Sequence, residues 1–137
     1  MIITPALLGE KGACWEHQLE VFVKLFPNGV ELTRENVVIA AENLLDLPWF
    51  VWEFCSDEAW FRFDQDTHGA RKHFLWETWK ARARYNQKTD DARDRYNQKT
   101  DDAYAWERYW QATTGPRREC LLACVDPFMR AVEEMGG

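Results

Sequence analysis

Apolar residues near the start of the chain recur at helical spacing. Trp15, Leu19, Phe22 and Phe26 are separated by four, three and four positions, which places them on one face of a helix. This spacing predicts a helix over 13–26, which the turn residues Phe26-Pro27-Asn28-Gly29 bring to an end. Residues 19–26 also alternate in part between apolar and polar, so a short strand there is the alternative.

Three further helices are predicted behind residues that favour helix starts. Thr33 caps a helix over 34–46, Pro48 suits the first turn of one over 49–55, and Ser56 caps one over 57–66, which Gly69 closes. The second of these is apolar nearly all round. It is therefore predicted to be the most buried piece of the chain.

The end of the chain also has helical spacing. Gly115-Pro116 predicts a stop, and a last helix is expected over 117–135. Pro127 lies inside that range and removes a backbone donor, so a kink is predicted near Cys124.

Between these regions, residues 70–114 contain neither Gly nor Pro and include a tandem duplication. The nine residues from Arg84 to Ala92 recur as Arg95 to Ala103, with a period of 11. Eleven residues are close to three helical turns, so equivalent positions stay on one stripe. That stripe contains Phe74, Thr78, Ala81, Tyr85, Thr89, Ala92, Tyr96, Thr100 and Ala103.

The 70–114 segment is predicted to form one long helix, which at 45 residues would span about 67 Å. Three interpretations of its thin Thr/Ala/Tyr stripe stay open. The helix is a solvated spacer, or a projecting arm that pairs with a copy of itself or another protein as in a coiled coil. Alternatively, it breaks near one Thr-Asp-Asp, where Thr or Asp caps a new helix.

These elements predict an all-α fold of five to six helices in one domain, 1–137. The expected parts are an acidic helical core over 13–66, the repeat helix over 70–114, and a C-terminal helix over 116–135 that packs back on the core. Eight Trp, eight Phe and four Tyr among 137 residues provide an aromatic core, formed by 13–66 and 106–133. Trp106 to Trp110 are expected to mark the point where the long helix re-enters that core.

Charge is distributed unevenly along the chain. The net charge is −6, but residues 1–69 contribute −8 and residues 70–114 contribute +3. The acidic balance argues against nucleic acid as the main partner, because nucleic-acid binding needs a basic footprint. The acidic half is interpreted as a solvated surface or as a face that meets a basic partner.

Targeting and cysteine signals favour a cytoplasmic protein with reduced thiols. No stretch of 18 apolar residues occurs, which predicts no membrane span, and the first residues lack the pattern of a signal peptide. The four cysteines, at 14, 55, 120 and 124, do not have the close spacing of a small disulfide-rich fold.

Three sets of residues have side chains that occur in metal or catalytic sites. Cys14, His17, Cys120 and Cys124 have spacings compatible with zinc, although buried cysteines are common and core packing is the favoured interpretation. His68 and His73 lie near Asp64 and Asp66, yet no nucleophile motif or phosphate loop accompanies them, so a capping or surface role is favoured. Cys55 would be a nucleophile only if the fold brought a histidine to it. The sequence therefore predicts no enzyme activity, no metal and no cofactor.

Seven tryptophans, at 49, 52, 60, 76, 79, 106 and 110, were expected to be mostly core. Trp76 and Trp79 are interleaved with basic residues, which is the composition of surfaces that stack bases and hold phosphate. Packing of the apolar side of the helix is the favoured interpretation of this pair. The basic residues are Arg71, Lys72, Lys80, Arg82 and Arg84.

Both ends of the chain and the repeat resemble a class of small helical proteins of phages and mobile elements. The resemblance is carried by Gly12-Ala13-Cys14, Leu19, Phe22 and Phe26-Pro27-Asn28-Gly29, by the 11-residue Tyr/Thr repeats, and by Cys120 and Cys124 in a closing helix. It implies an accessory protein that binds and blocks a host factor. It carries over no site residues, and the charged repeat departs from the Ala-rich repeats of that class.

The function expected from the sequence is therefore a non-enzymatic protein-binding module, an inhibitor of a host defence or regulatory complex of the anti-CRISPR type. The alternatives are a self-associating scaffold that uses the 74–103 stripe, or a nucleic-acid binder that uses the basic 71–84 segment. The partner is expected to be a host protein or complex, or a second copy of the chain. The residues predicted to contact it are Trp76, Trp79, Tyr85, Tyr96, Arg82, Arg84, Glu31, Glu35, Asp57 and Glu58.

Overall fold

The computed structural model describes residues 2–12, 16–94 and 98–135. Its elements are, in order, β1 (Ile2–Ile3), α1 (Pro5–Glu10), α2 (Glu16–Leu25), β2 (Val30–Glu31), α3 (Arg34–Glu42), α4 (Leu47–Phe54), α5 (Asp57–Asp94), α6 (Gln98–Ala123) and α7 (Val125–Glu133). The all-α class is confirmed. The described residues form seven helices rather than five or six, since α1 was not predicted and the later boundaries differ.

The segment before the first predicted helix folds into a strand and a short helix. β1 pairs antiparallel with β2, Ile3 opposite Val30, and Thr4 caps α1 by accepting a hydrogen bond from the Leu7 amide at 3.2 Å. Gly29 precedes β2 with φ of +92°, and a Cβ there would lie 3.0 Å from the Ile3 carbonyl oxygen. Glycine is therefore required at this position both for the backbone angle and for the close approach.

The predicted capping residues act as caps in the structure. Thr33 Oγ1 accepts from the Asn36 amide at 3.3 Å at the start of α3, and Ser56 Oγ accepts from the Ala59 amide at 3.1 Å at the start of α5. Asp46 caps α4 by accepting from the Trp49 amide at 3.0 Å. These bonds satisfy backbone donors that have no partner within the first turn of a helix.

α3 ends earlier than predicted, at Glu42 rather than near Asp46. Leu44 takes a left-handed conformation with φ of +63°, while the Leu44 and Leu45 amides bond back to Ala41 and Ala40. This is a Schellman ending with leucine where glycine is usual. The Leu44 carbonyl accepts a hydrogen bond from Gln18 Nε2 at 2.9 Å, which helps to hold the strained residue in place.

The hydrophobic core lies among α1 to α4, α7 and the first part of α5. Phe50 on α4 packs against Phe128 on α7 with ring centroids 5.4 Å apart, and Phe63 on α5 is buried beside Trp60. Ile3 and Leu8 are also buried, so the core begins ahead of the predicted 13–66 range. The C-terminal helix α7 packs on this core, and ion pairs join α5 to the last turn of α7 and the residue after it, Asp66 to Arg130 and Arg62 to Glu134.

The prediction that α4 is the most buried segment is wrong. Leu47, Phe50 and Val51 are buried, whereas Trp52 is 61% exposed and packs edge-on against Trp60 with centroids 5.2 Å apart. Neighbouring elements cover only one side of α4, so apolar side chains on its other side remain exposed.

The prediction of one helix over 70–114 is corrected by the structure. α5 ends at Asp94, α6 begins at Gln98, and the two helices pack along each other. Tyr85 contacts Trp106 and Tyr109, while Phe74 lies against Arg117, so the helices run antiparallel. A single unbroken helix over 70–114 is therefore excluded: α5 ends after the first Thr-Asp-Asp sequence, and α6 begins before the second.

The contacts between α5 and α6 define a regular seam. On α5, Thr67, Arg71, Phe74, Thr78, Ala81 and Tyr85 are spaced alternately by four and three positions, and on α6 the positions 106, 110, 113, 117 and 120 have the same spacing. This is the spacing of a two-helix coiled coil. The observed pairs place Thr78 opposite Thr113, and both are buried. In the described part of the hairpin the stripe of α5 therefore faces α6 of the same chain, whereas the sequence predicted a partner outside it.

Trp106 and Trp110 do not mark re-entry into the core. Trp106 is half exposed, packs edge-on against Tyr85 and lies tilted against Tyr109, beyond Thr78 and Thr113 on the seam. Trp110 lies over the Arg117 guanidinium, 4.3 Å from its central carbon. These rings form the apolar part of the hairpin away from the main core.

Two predicted helix ends are continuous helix in the structure. α5 passes through Gly69, and α6 passes through Gly115 and Pro116. Glycine inside a helix costs only about 1 kcal/mol, and the residues after Pro116 are held by contacts with other helices: Arg117 by Phe74 on α5, and Arg118 by the Glu42 carbonyl at the end of α3 at 2.9 Å. The predicted kink at Cys124 is confirmed, since α6 ends at Ala123 and α7 begins at Val125.

Candidate interaction surface

The outer face of α5 carries Trp76, the most exposed aromatic side chain among the described residues of the hairpin. Two residues of a helix turn by about 200°, so Trp76 lies opposite the seam residues Phe74 and Thr78. Its side chain is 74% exposed, and Leu75 and Trp79 beside it are each 49% exposed. The interpretation that Trp76 and Trp79 are packed is therefore wrong.

A shallow recess connects these side chains along the helix. We call this the tryptophan surface; its residues are Gly69, Lys72, His73, Leu75, Trp76, Trp79 and Arg82. Positions 69, 72, 76 and 79 recur at three and four residues, so they follow one face of α5. Gly69 has no side chain to cover that face, and open space surrounds the position where its Cβ would be.

Hydrogen bonds and ring contacts fix several members of the tryptophan surface. The Arg82 guanidinium reaches back and donates to the Leu75 carbonyl, and His73 pairs with Glu77 one turn further along. Lys80 lies over Trp79, its Nζ 5.8 Å from the ring centroid. The surface therefore combines indole rings with cationic groups held at its edge.

Tyr85 does not belong to that surface, although the sequence grouped it with Trp76 and Trp79. Its ring lies in the seam, 5.9 Å from Trp106 and 5.4 Å from Tyr109 by centroids. Arg84, next to it, is exposed. Tyr96 lies outside the described residues.

The four acidic residues of the prediction are exposed but belong to two separate places. Glu31 and Glu35 flank Arg34, which pairs with Asp126 at the start of α7 at 3.0 Å. Asp57 and Glu58 begin α5, close to Arg62, which pairs with Glu134 beyond the end of α7. α7 has nine residues, about 13 Å of helix, between those two ends. The structure therefore does not bring the two acidic pairs together.

The histidines and carboxylates weighed for catalysis have other partners. Asp64 pairs with Arg71, Asp66 with Arg130, and His73 with Glu77. His68 is exposed on α5. Asp64 and Asp66 therefore pair with arginines and not with His68 or His73.

The two cysteines of the closing helix interact with each other at the end of α6. The hydrogen bond from the Cys124 thiol lowers the pKa of Cys120, with burial opposing and the Arg71 charge assisting. The same bond and burial raise the pKa of the fully buried Cys124. Burial, together with the Glu134 charge, raises the pKa of Cys55 to about 11.

The described part of the chain contains no cluster of three or more metal-binding side chains. Of the four residues with spacings compatible with zinc, Cys14 lies outside the described residues, and so does the side chain of His17. Cys124 is fully buried in the core, in agreement with the core-packing interpretation, and Cys120 is half-buried.

Several exposed side chains were not singled out from the sequence. Leu75 lies within the tryptophan surface, whereas Trp52 and Phe61 are exposed at the junction of α4 and α5. The sequence signal for Leu75 is its position between the basic residues and beside Trp76. Trp52 had no distinguishing signal, because its whole segment is apolar.

Comparison with known proteins gives no relative: no family model, no curated protein and no solved structure matches the chain. Among the described helices, none has both the length and the apolar character needed to cross a lipid bilayer. The function proposed below therefore depends on the residues of this chain alone.

Proposed function

We propose that the protein is a non-enzymatic protein-binding module that contacts its partner through the tryptophan surface. The observation that carries the proposal is the exposure of Trp76, with Leu75 and Trp79 beside it, on a helix whose other side is already packed. Tryptophan is among the residue types most enriched at binding hot spots. Three large apolar side chains together are also more than the isolated exposed residues that are normal on protein surfaces.

Charge narrows the chemistry of the partner. Lys72, Lys80 and Arg82 surround the indole rings, although the chain as a whole carries −6. A complementary partner presents a pocket for the indole of Trp76, with acidic side chains at its edge. Leu75 favours a protein partner over a single-stranded nucleic acid, because an aliphatic side chain offers no stacking platform to a base.

The narrower role, an inhibitor of a host defence or regulatory complex, is part of the proposal and depends on the resemblance to phage and mobile-element proteins. A binding module without catalytic residues acts by occupying a surface that its target needs. The two acidic sites, Glu31 with Glu35 and Asp57 with Glu58, are secondary contact candidates under this role.

The test is capture of a partner by the wild-type protein and by a Trp76→Ala/Trp79→Ala double variant. Trp52→Ala is the matched control, since Trp52 is similarly exposed but lies on α4. We expect the control to retain the partner and the double variant to bind at least about 30-fold more weakly, as for the loss of a hot spot of about 2 kcal/mol. The melting temperatures of all three proteins should agree.

Two outcomes would overturn the proposal. If the double variant binds the partner as tightly as the wild type, the tryptophan surface is not the contact. If the wild type shifts single-stranded DNA or RNA at low salt, and the double variant loses that shift, the basic 71–84 segment is a nucleic-acid site instead. Sedimentation of the wild type at two concentrations tests the remaining alternative, a self-associating scaffold.

A further inference from the structure

A partly open cavity of about 90 Å³ lies among the core side chains, away from the tryptophan surface. It is lined by side chains of α1, α2, α3, α4 and α7, with β1 and β2 at one side. The walls are almost entirely aliphatic and aromatic, and the residues that define them include Leu19, Phe22, Val37, Ala40, Phe50 and Phe128. Protein interiors are packed with few voids of this size, so a cavity with such walls is an unusual feature of a core.

The polar side chains at the edge of the cavity are engaged by the protein itself. Gln18 donates to the Leu44 carbonyl at 2.9 Å and accepts from the Asp46 amide at 3.0 Å, while Asp46 caps α4. Asn36 donates to the Glu31 carbonyl at 2.9 Å. These bonds hold the polar groups in fixed positions and leave the cavity to apolar contacts.

The Asp46 carboxyl determines which charges the cavity can accept. Burial raises its pKa, which shows that the site already disfavours one negative charge, although the Trp49 amide and Arg117 partly compensate. A second carboxylate beside it would meet both the cost of desolvation and repulsion between like charges. Anionic guests such as fatty acids are therefore disfavoured relative to neutral ones of equal size.

We propose that this cavity is a binding site for a small, uncharged, apolar molecule, no larger than one aromatic ring. A cavity of about 150 Å³ with comparable walls accepts benzene or xenon, and the volume here sets a tighter limit. The site is independent of the proposed protein contact, because it lies in the core and uses none of the residues of the tryptophan surface.

The experiment uses the full chain with xenon, benzene and benzoate as probes, and follows methyl resonances by NMR. We expect xenon and benzene to shift the methyl signals of Leu19 and Val37 in a saturable manner, and benzoate at the same concentration to leave them unchanged. Failure of both neutral probes to give saturable shifts would overturn the proposal. Equal binding of benzoate and benzene would overturn its restriction to uncharged guests.

A graded pair of variants places the guest in the cavity. Ala40→Val and Ala40→Leu add carbon atoms to the wall, so xenon and benzene should bind progressively more weakly, by at least about tenfold for the larger side chain. Ala112→Leu is the control, since Ala112 is exposed on α6. Its methyl shifts should match those of the wild type. If the folded Ala40 variants bind as the wild type does, the guest lies elsewhere and the proposal fails.

Discussion

Phe63 and Phe74 lie on the same helix, α5, but in two different regions of the molecule, Phe63 in the core and Phe74 in the hairpin. They are 11 residues apart and therefore on nearly the same face of one helix. Phe63 is 2% exposed and packs among the aromatic and aliphatic side chains of the core, whereas Phe74 is half-buried and lies against the Arg117 guanidinium. One continuous helix thus takes part in two kinds of packing.

The difference is one of chemistry along the helix. In the core, α5 packs on α4 and α7, whose large apolar side chains, Phe50 and Phe128 among them, exclude water. In the hairpin, it meets a seam of threonine, arginine and a few rings, with Thr78 and Thr113 buried at its centre. The hydrophobic effect is proportional to apolar area removed from water, so the core stabilises the chain more strongly than the hairpin does.

The largest expected effect separates the two phenylalanines. Phe63→Ala should lower the free energy of unfolding by about 3–5 kcal/mol, because it removes a fully buried ring and leaves a cavity. Phe74→Ala, on the same helix, should lower it by only about 1–2 kcal/mol. Urea unfolding of both variants measures the difference. Equal losses would show that the hairpin packs as tightly as the core.

The next largest effect is expected for Gly29→Ala, which tests the region of β1 and β2, outside the hairpin. We expect a loss of about 1–3 kcal/mol, because the new Cβ would meet the Ile3 carbonyl at 3.0 Å and φ is positive. Thermal unfolding gives the value. Gly115→Ala is the control, since its Cβ would meet open space within α6, and that variant should lose nothing.

Replacing one buried threonine of the seam should act in the opposite direction. Thr78→Val removes a buried hydroxyl while keeping nearly the same shape, and the bond of this hydroxyl to the Phe74 carbonyl is of the kind that slightly destabilises a helix, so the hairpin should gain up to about 0.5 kcal/mol. Thr113→Val is the contrast and should lose stability, because the Thr113 hydroxyl also accepts a hydrogen bond from Arg117 at 3.2 Å. Amide hydrogen exchange of α5 and α6 locates both changes. A loss of stability in Thr78→Val would mean that its bond to the Phe74 carbonyl stabilises the helix.

Asp46→Asn probes a buried carboxyl at the edge of the core. A raised pKa in the folded state means that its contribution to stability is largest below the pKa of the unfolded chain and is lost as the pH rises through the folded pKa. Asparagine keeps the cap and removes the charge. The variant should therefore be more stable than the wild type at neutral pH, by less than about 1 kcal/mol. This gain should vanish in acid unfolding curves below about pH 4.

The smallest effect on stability, but a clear chemical one, is expected at the cysteines. Cys55 and Cys120 are both half-buried, yet the pKa of Cys120 is lowered and that of Cys55 is raised to about 11. The thiolate is the reactive form. Iodoacetamide at neutral pH should therefore modify Cys120 at least about tenfold faster, as mapped by mass spectrometry. In denaturant the two rates should converge; a difference that persists there would not come from the fold.

The sequence predicted those features that depend on near neighbours along the chain. Thr33 and Ser56 cap helices as expected, because capping needs only an oxygen acceptor and the amide three residues on. The break at Cys124 was also predicted, from Pro127. The N-terminal helix α1 was missed although Thr4 and Pro5 are a favourable helix start, because the apolar spacing there is too short to show a period.

The predictions that were wrong concern features that depend on tertiary contacts. The stripe of threonine, alanine and tyrosine is equally compatible with a rod and with a seam, and the choice depends on Tyr85 meeting Trp106 across the hairpin. α6 continues through Pro116 because Arg117 contacts Phe74 on α5 and Arg118 donates to the Glu42 carbonyl, which holds the helix beyond the proline. The exposure of Trp76 follows from the same event, since α6 covers the opposite side of α5.

The folding of the repeat across two antiparallel helices has a consequence for how this chain can change length. One copy ends α5 and much of the other begins α6, and each copy is close to three helical turns. Gaining one copy on each side would move the tip outward by about 16 Å without rotating any residue nearer the core. Duplication of the repeat in the gene can therefore lengthen the hairpin in fixed steps, while the core and the tryptophan surface keep their orientation.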